Sequence, residues 1–362
     1  MRLIFILFFT FCSLALACTG ITIKTLDNKT IQARTIEYGE SNLNSKLVIS
    51  PREKEYQSLI PDGKFEGYKW KGKYGYVGAS LITDMFIGEG INEAGLNAGL
   101  FYFPHYGSLA KFDKKNSKKS IVDMQLVSWI LSNFSTVDEV KEGLKKIKIV
   151  NIGYDKDGNP LPTAHWRVAD TKGGNIVIEI INNGEIKIHE NKIGVLTNSP
   201  DYEWHMKNLN NYINLYAGNA KNFNINGQEF FSFGAGTGAI GLPGDITPPS
   251  RFVRAFYFLN TMKPANTSKE AINEAIHILN NFDLPIGVEY PAEHKTYIPK
   301  DLPSATQWTA ISSLNDKEFY YKTMYNSQIR KIDLKKINFS KIDYTTIPLD
   351  EKPEENIKEL IF

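Results

Sequence analysis

Cys18, within positions 15–20, is the residue of this chain that is best suited to take part in a chemical reaction. Ala15-Leu16-Ala17 directly before it matches the A-x-A pattern of a signal-peptidase site, so cleavage there would make Cys18 the first residue of the mature chain. Cys18 would then hold a thiol nucleophile together with an α-amine, whose ordinary pKa of roughly 7.7–8.0 suits a general base. A cysteine of this kind needs no histidine partner for nucleophilic catalysis.

Residues 1–17 are predicted to be a signal peptide, and residues 18–362 a single domain that is exported to the periplasm or the exterior. Arg2 supplies a positive start, and the apolar run after it is shorter than the ~20 residues of a membrane-spanning helix. We therefore expect no stable membrane insertion after cleavage. The alternative is that Cys18 is acylated and anchors a binding protein. Ala15 argues against it, because lipid-modification signals prefer leucine at that place.

The charge and cysteine content exclude several classes of function. The 362 residues include 42 basic and 40 acidic side chains, and a formal charge of +2 leaves no electrostatic footprint for nucleic acid. Cys12 would be removed with the signal peptide, so no intrachain disulfide is expected.

A G-x-G-x-x-G match at 236–241 is followed by Pro243, which prevents the helix that a dinucleotide site requires.

The six histidines have neither H-x-H nor H-E-x-x-H spacing, so the sequence predicts no metal site and no cofactor. A Cys–His pair of the papain type stays open as an alternative, and His205 is the histidine nearest to a suggestive motif. Two aromatic clusters, at 101–103 and 230–233, predict core packing or, in the sharper interpretation, a pocket for an acyl group or a ring.

Alternating apolar residues after the cysteine predict a β-hairpin with its turn at Asp27-Asn28. The return strand, residues 31–38, carries Arg34 and Glu37. A hairpin brings its two strands side by side, so we expect both side chains to lie near Cys18. The simpler alternative is an ion pair on the surface, which would contribute little.

The rest of the chain alternates between groups of strands and groups of helices. Helices are predicted at 121–134, 136–147, 204–216, 250–262 and 270–282, with Ser268 as the cap of the last. Strands are predicted in the middle of the chain, at 164–197, and near its end, at 307–334. This order predicts an α+β fold in which antiparallel sheets are covered by helical layers, and not a wound parallel sheet.

Five motifs, in this order along the chain, resemble the choloylglycine hydrolase family, which comprises the penicillin V acylases and the conjugated bile salt hydrolases. They are Cys18-Thr19-Gly20, Arg34-Thr35-Ile36-Glu37, Asn92-Glu93-Ala94-Gly95-Leu96, Thr197-Asn198-Ser199-Pro200 and Thr247-Pro248-Pro249-Ser250-Arg251-Phe252. The resemblance spans the predicted mature chain, and residues 193–254 look especially like the penicillin V acylase branch. It implies the N-terminal nucleophile hydrolase fold, a four-layer αββα sandwich of two antiparallel sheets. It also implies cleavage of a non-peptide linear amide, with homotetramers common.

The resemblance also implies roles for the residues at the start of the chain. Cys18 would attack the amide carbon with its own α-amine as the base, and Arg34 would favour the thiolate. Glu37 falls where the family usually has an aspartate that contacts the α-amine. Because glutamate is longer by one methylene, its carboxylate must sit differently from that of the aspartate.

Three residues further along the chain complete the implied site. Asn198 matches the asparagine of the oxyanion hole, and the backbone N–H of Tyr102 would be the second donor to the oxyanion. Arg251 matches an arginine near the nucleophile. A tyrosine at the position of Tyr102 is what the penicillin acylase branch carries.

The sequence therefore predicts an exported cysteine amidohydrolase that acts on a small N-acyl amide with an apolar acyl group. Penicillin V and bile acids conjugated to glycine or taurine are the first candidates for its substrate. N-acyl homoserine lactones are an alternative, and a lipid-anchored binding protein with Cys18 acylated is the alternative of another class. Tyr102 favours the penicillin branch only weakly, so the sequence leaves the substrate open.

Overall fold

The computed structural model describes residues 16–40, 42–154, 160–161, 163–289 and 302–362. Most of the predicted signal peptide, residues 1–15, lies outside the described residues. Leu16 and Ala17 are described, and they begin the first strand. Among the described residues, no helix is both long enough and apolar enough to cross a membrane.

The described part of the chain contains twenty strands and five α-helices. The strands are β1 (Leu16–Lys24), β2 (Thr30–Glu40), β3 (Lys46–Ser50), β4 (Glu55–Gln57), β5 (Lys69–Lys71), β6 (Tyr76–Leu81), β7 (Thr83–Asn92), β8 (Asn97–Tyr102), β9 (Ser120–Val122), β10 (Lys148–Val150), β11 (Ala164–Ala169), β12 (Asn175–Ile181), β13 (Glu185–Glu190), β14 (Val195–Leu196), β15 (Phe223–Ile225), β16 (Gln228–Phe230), β17 (Leu302–Ser313), β18 (Glu318–Thr323), β19 (Arg330–Asp333) and β20 (Thr345–Pro348). The helices are α1 (Leu126–Asn133), α2 (Val137–Leu144), α3 (Tyr202–Asn208), α4 (Pro248–Thr261) and α5 (Ser268–Leu279).

Two large sheets, antiparallel throughout, form the centre of the molecule. The first has the strand order β14-β1-β2-β17-β18-β19, and the second has the order β13-β12-β11-β8-β7-β6-β3-β20. Helices α4 and α5 pack on the first sheet, and α1 packs on the second. The predicted sandwich of two antiparallel sheets between helical layers is thereby confirmed.

The two sheets approach each other closely at Gly20 in β1. A Cβ atom on Gly20 would lie 2.6 Å from the ring of Phe101, a residue of the second sheet, so only glycine fits there without moving the ring. Close by, Arg167 of β11 donates to the main-chain carbonyls of Ile21 and Ala33, each over 3.1 Å. The space between the sheets therefore contains polar as well as apolar contacts, and it lies directly beside Cys18.

Three predicted helices have different limits in the structure. Ser120–Val122 forms strand β9, because its β-branched residues pair with β10. Helix α3 ends at Asn208 and continues only as the 3₁₀ turn Leu209–Tyr212, in an asparagine-rich stretch where side chains compete for backbone hydrogen bonds. The predicted cap Ser268 is wrong by one residue: the side chain of Thr267 accepts from the backbone N–H of Glu270, and Ser268 is the first helical residue.

Candidate active site

Cys18 lies in β1, next to the edge strand β14, and only 1% of its surface is exposed. Strand β14 pairs with β1 so that Gly20 is opposite Leu196. The same antiparallel register, continued by two residues, brings Asn198 opposite Cys18. In agreement with this, the backbone N–H of Cys18 donates to Oδ1 of Asn198 over 2.8 Å.

The Cys18 thiol is surrounded by groups with opposing effects on its ionisation. Burial raises the pKa of the Cys18 thiol above its ordinary value, and the charge of Glu37 adds to this increase. The positive charges of Arg34 and Arg251, and a hydrogen bond from the backbone N–H of Tyr102, act in the opposite direction. The net effect is a raised pKa, so the thiol needs a base before it can act as a nucleophile.

Arg34 lies on the same face of the hairpin as the Cys18 side chain. Their strands pair so that Cys18 is opposite Ile36 and Gly20 is opposite Arg34, and side chains two residues apart share a face. The Arg34 guanidinium is fully buried between the sheets, where it donates to the carbonyls of Gly88 and Leu100. The prediction that the hairpin brings Arg34 near Cys18 is confirmed.

Glu37 lies on the opposite face of the same strand, because its cross-strand partner is Ala17. On that face its Oε1 accepts from the hydroxyl of Thr306, a residue of the neighbouring strand β17, over 3.0 Å. The other oxygen, Oε2, is buried without a hydrogen-bond partner among the described residues. Glu37 therefore lies opposite the residue before Cys18, and it does not share a face with the thiol.

Burial raises the pKa of Glu37 to about 7, while Arg251 and the hydrogen bond from Thr306 act the other way. The negative charge of a second carboxylate, Glu289, raises the pKa of Glu37 further. Burial also raises the pKa of Glu289 itself. The sequence did not single out Glu289, because a lone glutamate in a loop gives no signal of its position.

Arg251, in the first turns of α4, joins the helical layer to the nucleophile strand. Its Nη2 donates to Oδ1 of Asn198 over 2.8 Å, and its Nη1 donates to the Thr19 hydroxyl over 2.9 Å and to the Cys18 carbonyl. Its Nε donates to the carbonyl of Ile246 over 2.8 Å. Every guanidinium nitrogen of Arg251 thus donates at least one hydrogen bond, and the side chain fixes Asn198 and Cys18 relative to each other.

Asn198 connects the first sheet to the end of β8 in the second sheet. Its Nδ2 donates to the carbonyl of Tyr102 over 2.9 Å, and the next residue, Ser199, donates from its hydroxyl to the carbonyl of Pro104 over 2.6 Å. The structure therefore brings the side-chain amide of Asn198 and the backbone of Tyr102 together beside the Cys18 thiol. An amide N–H and a backbone N–H in this arrangement are the donor types that stabilise an oxyanion.

His205, the histidine considered for a Cys–His pair, contacts Asn198 instead. Its Nε2 lies 2.9 Å from the carbonyl of Asn198, and its ring stacks on Phe252 at 4.4 Å between centroids. Its Nδ1 has no hydrogen-bond partner among the described residues, so no hydrogen bond links this ring to Cys18. Burial lowers the pKa of His205 to about 4, which keeps the ring neutral at pH 7.

A buried ion-pair network behind Arg34 was not anticipated from the sequence. Glu89 lies 3.7 Å from Nη1 of Arg34 and 3.1 Å from Nη2 of Arg167, and it also accepts from the amide of Asn97 over 2.7 Å. Both arginines lie over the ring of Phe101. A charged residue in the middle of an apolar strand, as at Glu89 and Arg167, is the signal that could have found this network.

No group of three or more histidine, cysteine, aspartate or glutamate side chains in the described part of the chain could hold a metal ion. The site brings together a thiol, an amide N–H, a backbone N–H and three buried ionisable side chains: Arg34, Glu37 and Arg251.

Comparison with known proteins finds one family model over nearly the whole chain. The model of the linear amide C–N hydrolases, choloylglycine hydrolase family, matches residues 18–349. The chain is 35% identical to a bile salt hydrolase/transferase of Clostridium perfringens, over 88% of this chain and 92% of the relative. It is 24% identical to the penicillin V acylase of Pectobacterium atrosepticum, over 95% of this chain and 88% of the relative.

Solved structures of the conjugated bile acid hydrolase from Clostridium perfringens are also similar to this chain. A mutant with a cysteine replaced by alanine superimposes with a TM-score of 0.79 and 32% identity, and it covers 95% of this chain and 100% of the other. A variant with an arginine replaced by leucine gives a TM-score of 0.80 and 31% identity with the same coverage. Overall identity is thus higher to the bile salt hydrolases than to the penicillin V acylase, whereas Tyr102 alone favoured the latter.

Proposed function

Because the chain belongs to the choloylglycine hydrolase family and is a linear amide hydrolase of the bile salt hydrolase and penicillin V acylase type, we propose that Cys18 is its nucleophile. The observation that carries this proposal is the position of the Cys18 main-chain nitrogen, 2.8 Å from Oδ1 of Asn198 and next to the thiol. Once the chain is cut after Ala17, that nitrogen is an α-amine held by an acceptor beside the thiol that it must deprotonate.

Two comparisons support this assignment. The family model begins its match at residue 18, the residue proposed to become the N-terminus. The two solved bile acid hydrolase variants carry substitutions at a cysteine and at an arginine sixteen positions later. Cys18 and Arg34 have the same separation in this chain.

The first half of the proposed reaction forms a thioester. The α-amine of Cys18 accepts the thiol proton, and the sulfur attacks the amide carbon, whose oxygen takes on negative charge. The Nδ2 of Asn198 and the backbone N–H of Tyr102 donate to that oxygen. The protonated amine then passes its proton to the leaving nitrogen, the carbon–nitrogen bond breaks, and the substrate's amine departs.

The second half of the reaction restores the enzyme. Water attacks the thioester carbonyl while the α-amine of Cys18 accepts a proton from it, and the same two donors stabilise the second oxyanion. The carbon–sulfur bond breaks, the thiol is regenerated, and a carboxylic acid is released. We further propose that Glu37, whose buried Oε2 has no hydrogen-bond partner among the described residues, orients the ammonium form of the amine between these steps.

The substrate that we propose is a conjugated bile acid, in which an apolar acyl group is linked to glycine or taurine. The higher identity to bile salt hydrolases, 35% against 24% for the penicillin V acylase, supports this choice. Penicillin V is the second candidate, because Tyr102 is the residue of the penicillin acylase branch. N-acyl homoserine lactones are the third, since they share the linear amide and the apolar acyl chain.

We also propose that the protein is exported and cut after Ala17, as the A-x-A pattern indicates. The test is the intact mass and the N-terminal sequence of protein purified from the cell envelope and from the culture medium. A chain that begins at unmodified Cys18 agrees with the proposal. An acylated Cys18 or a retained Met1 would contradict it, and acylation would favour the lipid-anchored binding protein.

Activity is tested with glycocholate, taurocholate, penicillin V and an N-acyl homoserine lactone as the substrates. We expect wild-type turnover of at least one of these amides, no turnover by Cys18→Ala, and little by Cys18→Ser, since a hydroxyl is the weaker nucleophile. As a control for processing, a chain that keeps one extra residue before Cys18 should be inactive although its thiol is present. Activity in that chain would remove the α-amine from the mechanism.

A homotetramer is proposed as the assembly, and an exposed hairpin on the surface supports self-association. Strands β15 and β16 form a separate two-stranded sheet, and aromatic side chains on it and directly after it are exposed: Phe223, Phe230, Phe231 and Phe233. Exposed apolar side chains that lie together are typical of an interface between subunits. The exposed Ile213 and Ile240 precede and follow this segment in the sequence.

A further inference from the structure

We propose that His165, held by Glu179, is a positioning residue that keeps the two donors of the oxyanion hole in their relative places. This inference rests on the proposed function, because it assigns Tyr102 and Asn198 as those donors. His165 is a residue of β11 and is fully buried between them. The resemblance and the sequence motifs gave this histidine no role.

On one side, His165 packs against the strand that carries Tyr102. Its Cα partner in β8 is Phe101, and the edge of its ring contacts the Phe101 ring at 6.2 Å between centroids. Its ring also stacks on Phe103 at 4.4 Å, with the two planes only 8° apart. The residues directly before and after Tyr102 therefore both pack on this imidazole, which fixes the segment whose backbone N–H points at the thiol.

On the other side, the ring contacts the segment that carries Asn198. Nε2 of His165 lies 3.0 Å from the carbonyl oxygen of Thr197, which belongs to the peptide group just before Asn198. The peptide group just after Asn198 is held by His205, whose Nε2 lies 2.9 Å from the Asn198 carbonyl. Both peptide groups that flank the asparagine are thus bonded to a buried imidazole, so its backbone cannot turn without breaking one of these bonds.

Glu179 fixes the orientation of His165. Nδ1 of His165 lies 3.3 Å from Oε1 of Glu179, and the same oxygen accepts from the backbone N–H of Tyr202 over 2.8 Å. Oε2 of Glu179 lies 3.1 Å from Nε2 of His189. Burial opposes ionisation of this carboxyl, but the hydrogen bonds from His165 and His189 hold the pKa of Glu179 at about 2.

The partners of His165 fix the position of its ring. A main-chain carbonyl and a carboxylate both supply acceptor oxygens, and each nitrogen of His165 faces one of them. Because the ring is fully buried, turning it would break both contacts with no water to replace them.

The positions of the donors matter because catalysis requires them to aim at the oxygen of the transition state. Removing one oxyanion donor costs ~10²–10³-fold in kcat, and a displacement of about 1 Å is enough to cost ~10²-fold. Alkylation of the thiol by iodoacetamide forms no oxyanion, so it does not need these donors. Turnover and alkylation therefore separate a misplaced oxyanion hole from a damaged nucleophile or a disordered fold.

The experiment compares three variants with the wild-type mature enzyme on whichever amide of the panel it hydrolyses. His165→Phe keeps a ring that can stack on Phe103 and loses both hydrogen bonds. His165→Gln keeps a donor for the Thr197 carbonyl. Trp166→Phe is the matched control, because it changes the next, equally buried residue of the same strand, whose side chain faces the other side of the sheet.

We expect His165→Phe to lower kcat by ~10–100-fold, with KM and the rate of Cys18 alkylation within about threefold of the wild type. His165→Gln should recover part of the loss, and Trp166→Phe should change melting temperature more than kcat. Wild-type kcat in His165→Phe, a parallel loss of alkylation and turnover, or no recovery in His165→Gln would each overturn the inference. If the wild-type enzyme hydrolyses no amide of the panel, both the proposed function and this inference are overturned. If it hydrolyses one of them, the variants test the inference about His165 alone, so the two failures are distinguishable.

Discussion

The backbone N–H of Cys18 donates to Oδ1 of Asn198 over 2.8 Å, although 180 positions separate the two residues in the sequence. Oδ1 also accepts from Arg251, so the oxygen of this amide is identified by two donors. The Nδ2 group then faces Tyr102, and one of its two N–H groups has no acceptor among the described residues, which leaves it for a substrate oxygen. One asparagine therefore serves both halves of the proposed chemistry: its oxygen holds the amine that is to act as the base, and its nitrogen is a donor for the oxyanion.

Replacing Asn198 by alanine tests this double role. We expect kcat to fall by ~10²–10³-fold, because one oxyanion donor is lost, while KM changes much less. Steady-state kinetics on the hydrolysed amide measure both constants. Asn210→Ala, an exposed asparagine in the 3₁₀ turn after α3, is the control and should behave as the wild type. A kcat for Asn198→Ala within a few-fold of the wild type would contradict the assignment.

Arg34→Gln tests the electrostatic control of the nucleophile. Burial raises the pKa of the Cys18 thiol, and Arg34 is the largest influence that lowers it. Removing this charge should raise the apparent thiol pKa further, seen as an alkaline shift in the pH profile of iodoacetamide alkylation. Arg34→Lys keeps the charge and should shift the profile less. An unchanged profile in Arg34→Gln would show that the guanidinium does not influence the thiol.

Glu37→Gln tests the pH dependence of stability. The folded pKa of Glu37 is raised by burial from 4.5 to about 7, so the folded state holds a proton that the unfolded state releases. Its contribution to stability is therefore fully present below pH 4.5 and is lost as the pH rises toward 7. The unfolding free energy of the wild type should fall relative to Glu37→Gln by up to ~1.4 kcal/mol per pH unit in this window.

Denaturant unfolding of the wild type and of Glu37→Gln at intervals from pH 4 to pH 8 measures this difference directly. Asp123, another buried carboxyl whose pKa burial raises to about 7, is present in both proteins, so its contribution cancels. A difference in unfolding free energy that stays constant across the window would mean that folding does not raise the pKa of Glu37. The α-ammonium of a processed Cys18 would be the most direct cause of such a result.

The exposed hairpin is tested by changing its aromatic residues. Phe231→Ser and Phe233→Ser, made together, remove two exposed rings, and we expect the assembly to dissociate to smaller species. Light scattering coupled to size-exclusion chromatography measures the mass. Leu26→Ser is the control, since the exposure of Leu26 is close to that of Phe231 but Leu26 lies in the turn between β1 and β2. An unchanged mass in the double variant would exclude this hairpin from the interface.

Local features of the site were readable from the sequence. The hairpin that returns Arg34 toward Cys18 follows from alternation and a two-residue turn, and it is present with β1 and β2 in register. The order of strand groups and helix groups along the chain likewise indicated the layered antiparallel fold. Capping is also local: the helix predicted at 136–147 begins as α2 directly after Thr136, whose side chain accepts from the backbone N–H of Glu139.

The relationship of Glu37 to the nucleophile shows where local reasoning stops. Chain proximity predicted that Arg34 and Glu37 would both lie beside the cysteine. Because side chains alternate along a strand, Arg34 faces the second sheet with the thiol, and Glu37 faces the helices with Arg251. The helices themselves, their distance from the hairpin and the burial that raises the pKa of Glu37 are properties of the assembled sandwich.

The sequence by itself determined the nucleophile candidate, the hairpin beside it and the class of fold, since each rests on neighbours in the chain. The resemblance also assigned the distant Asn198, Tyr102 and Arg251 to the site, but only the tertiary structure decided which of their atoms meet the cysteine and what lies behind them. The pairing of β14 with β1 brings Asn198 to Cys18, and the packing of the sheets encloses Glu89, Arg167 and His165. Such contacts depend on registers and on close packing between strands far apart in sequence, and no local pattern of residue types specifies them.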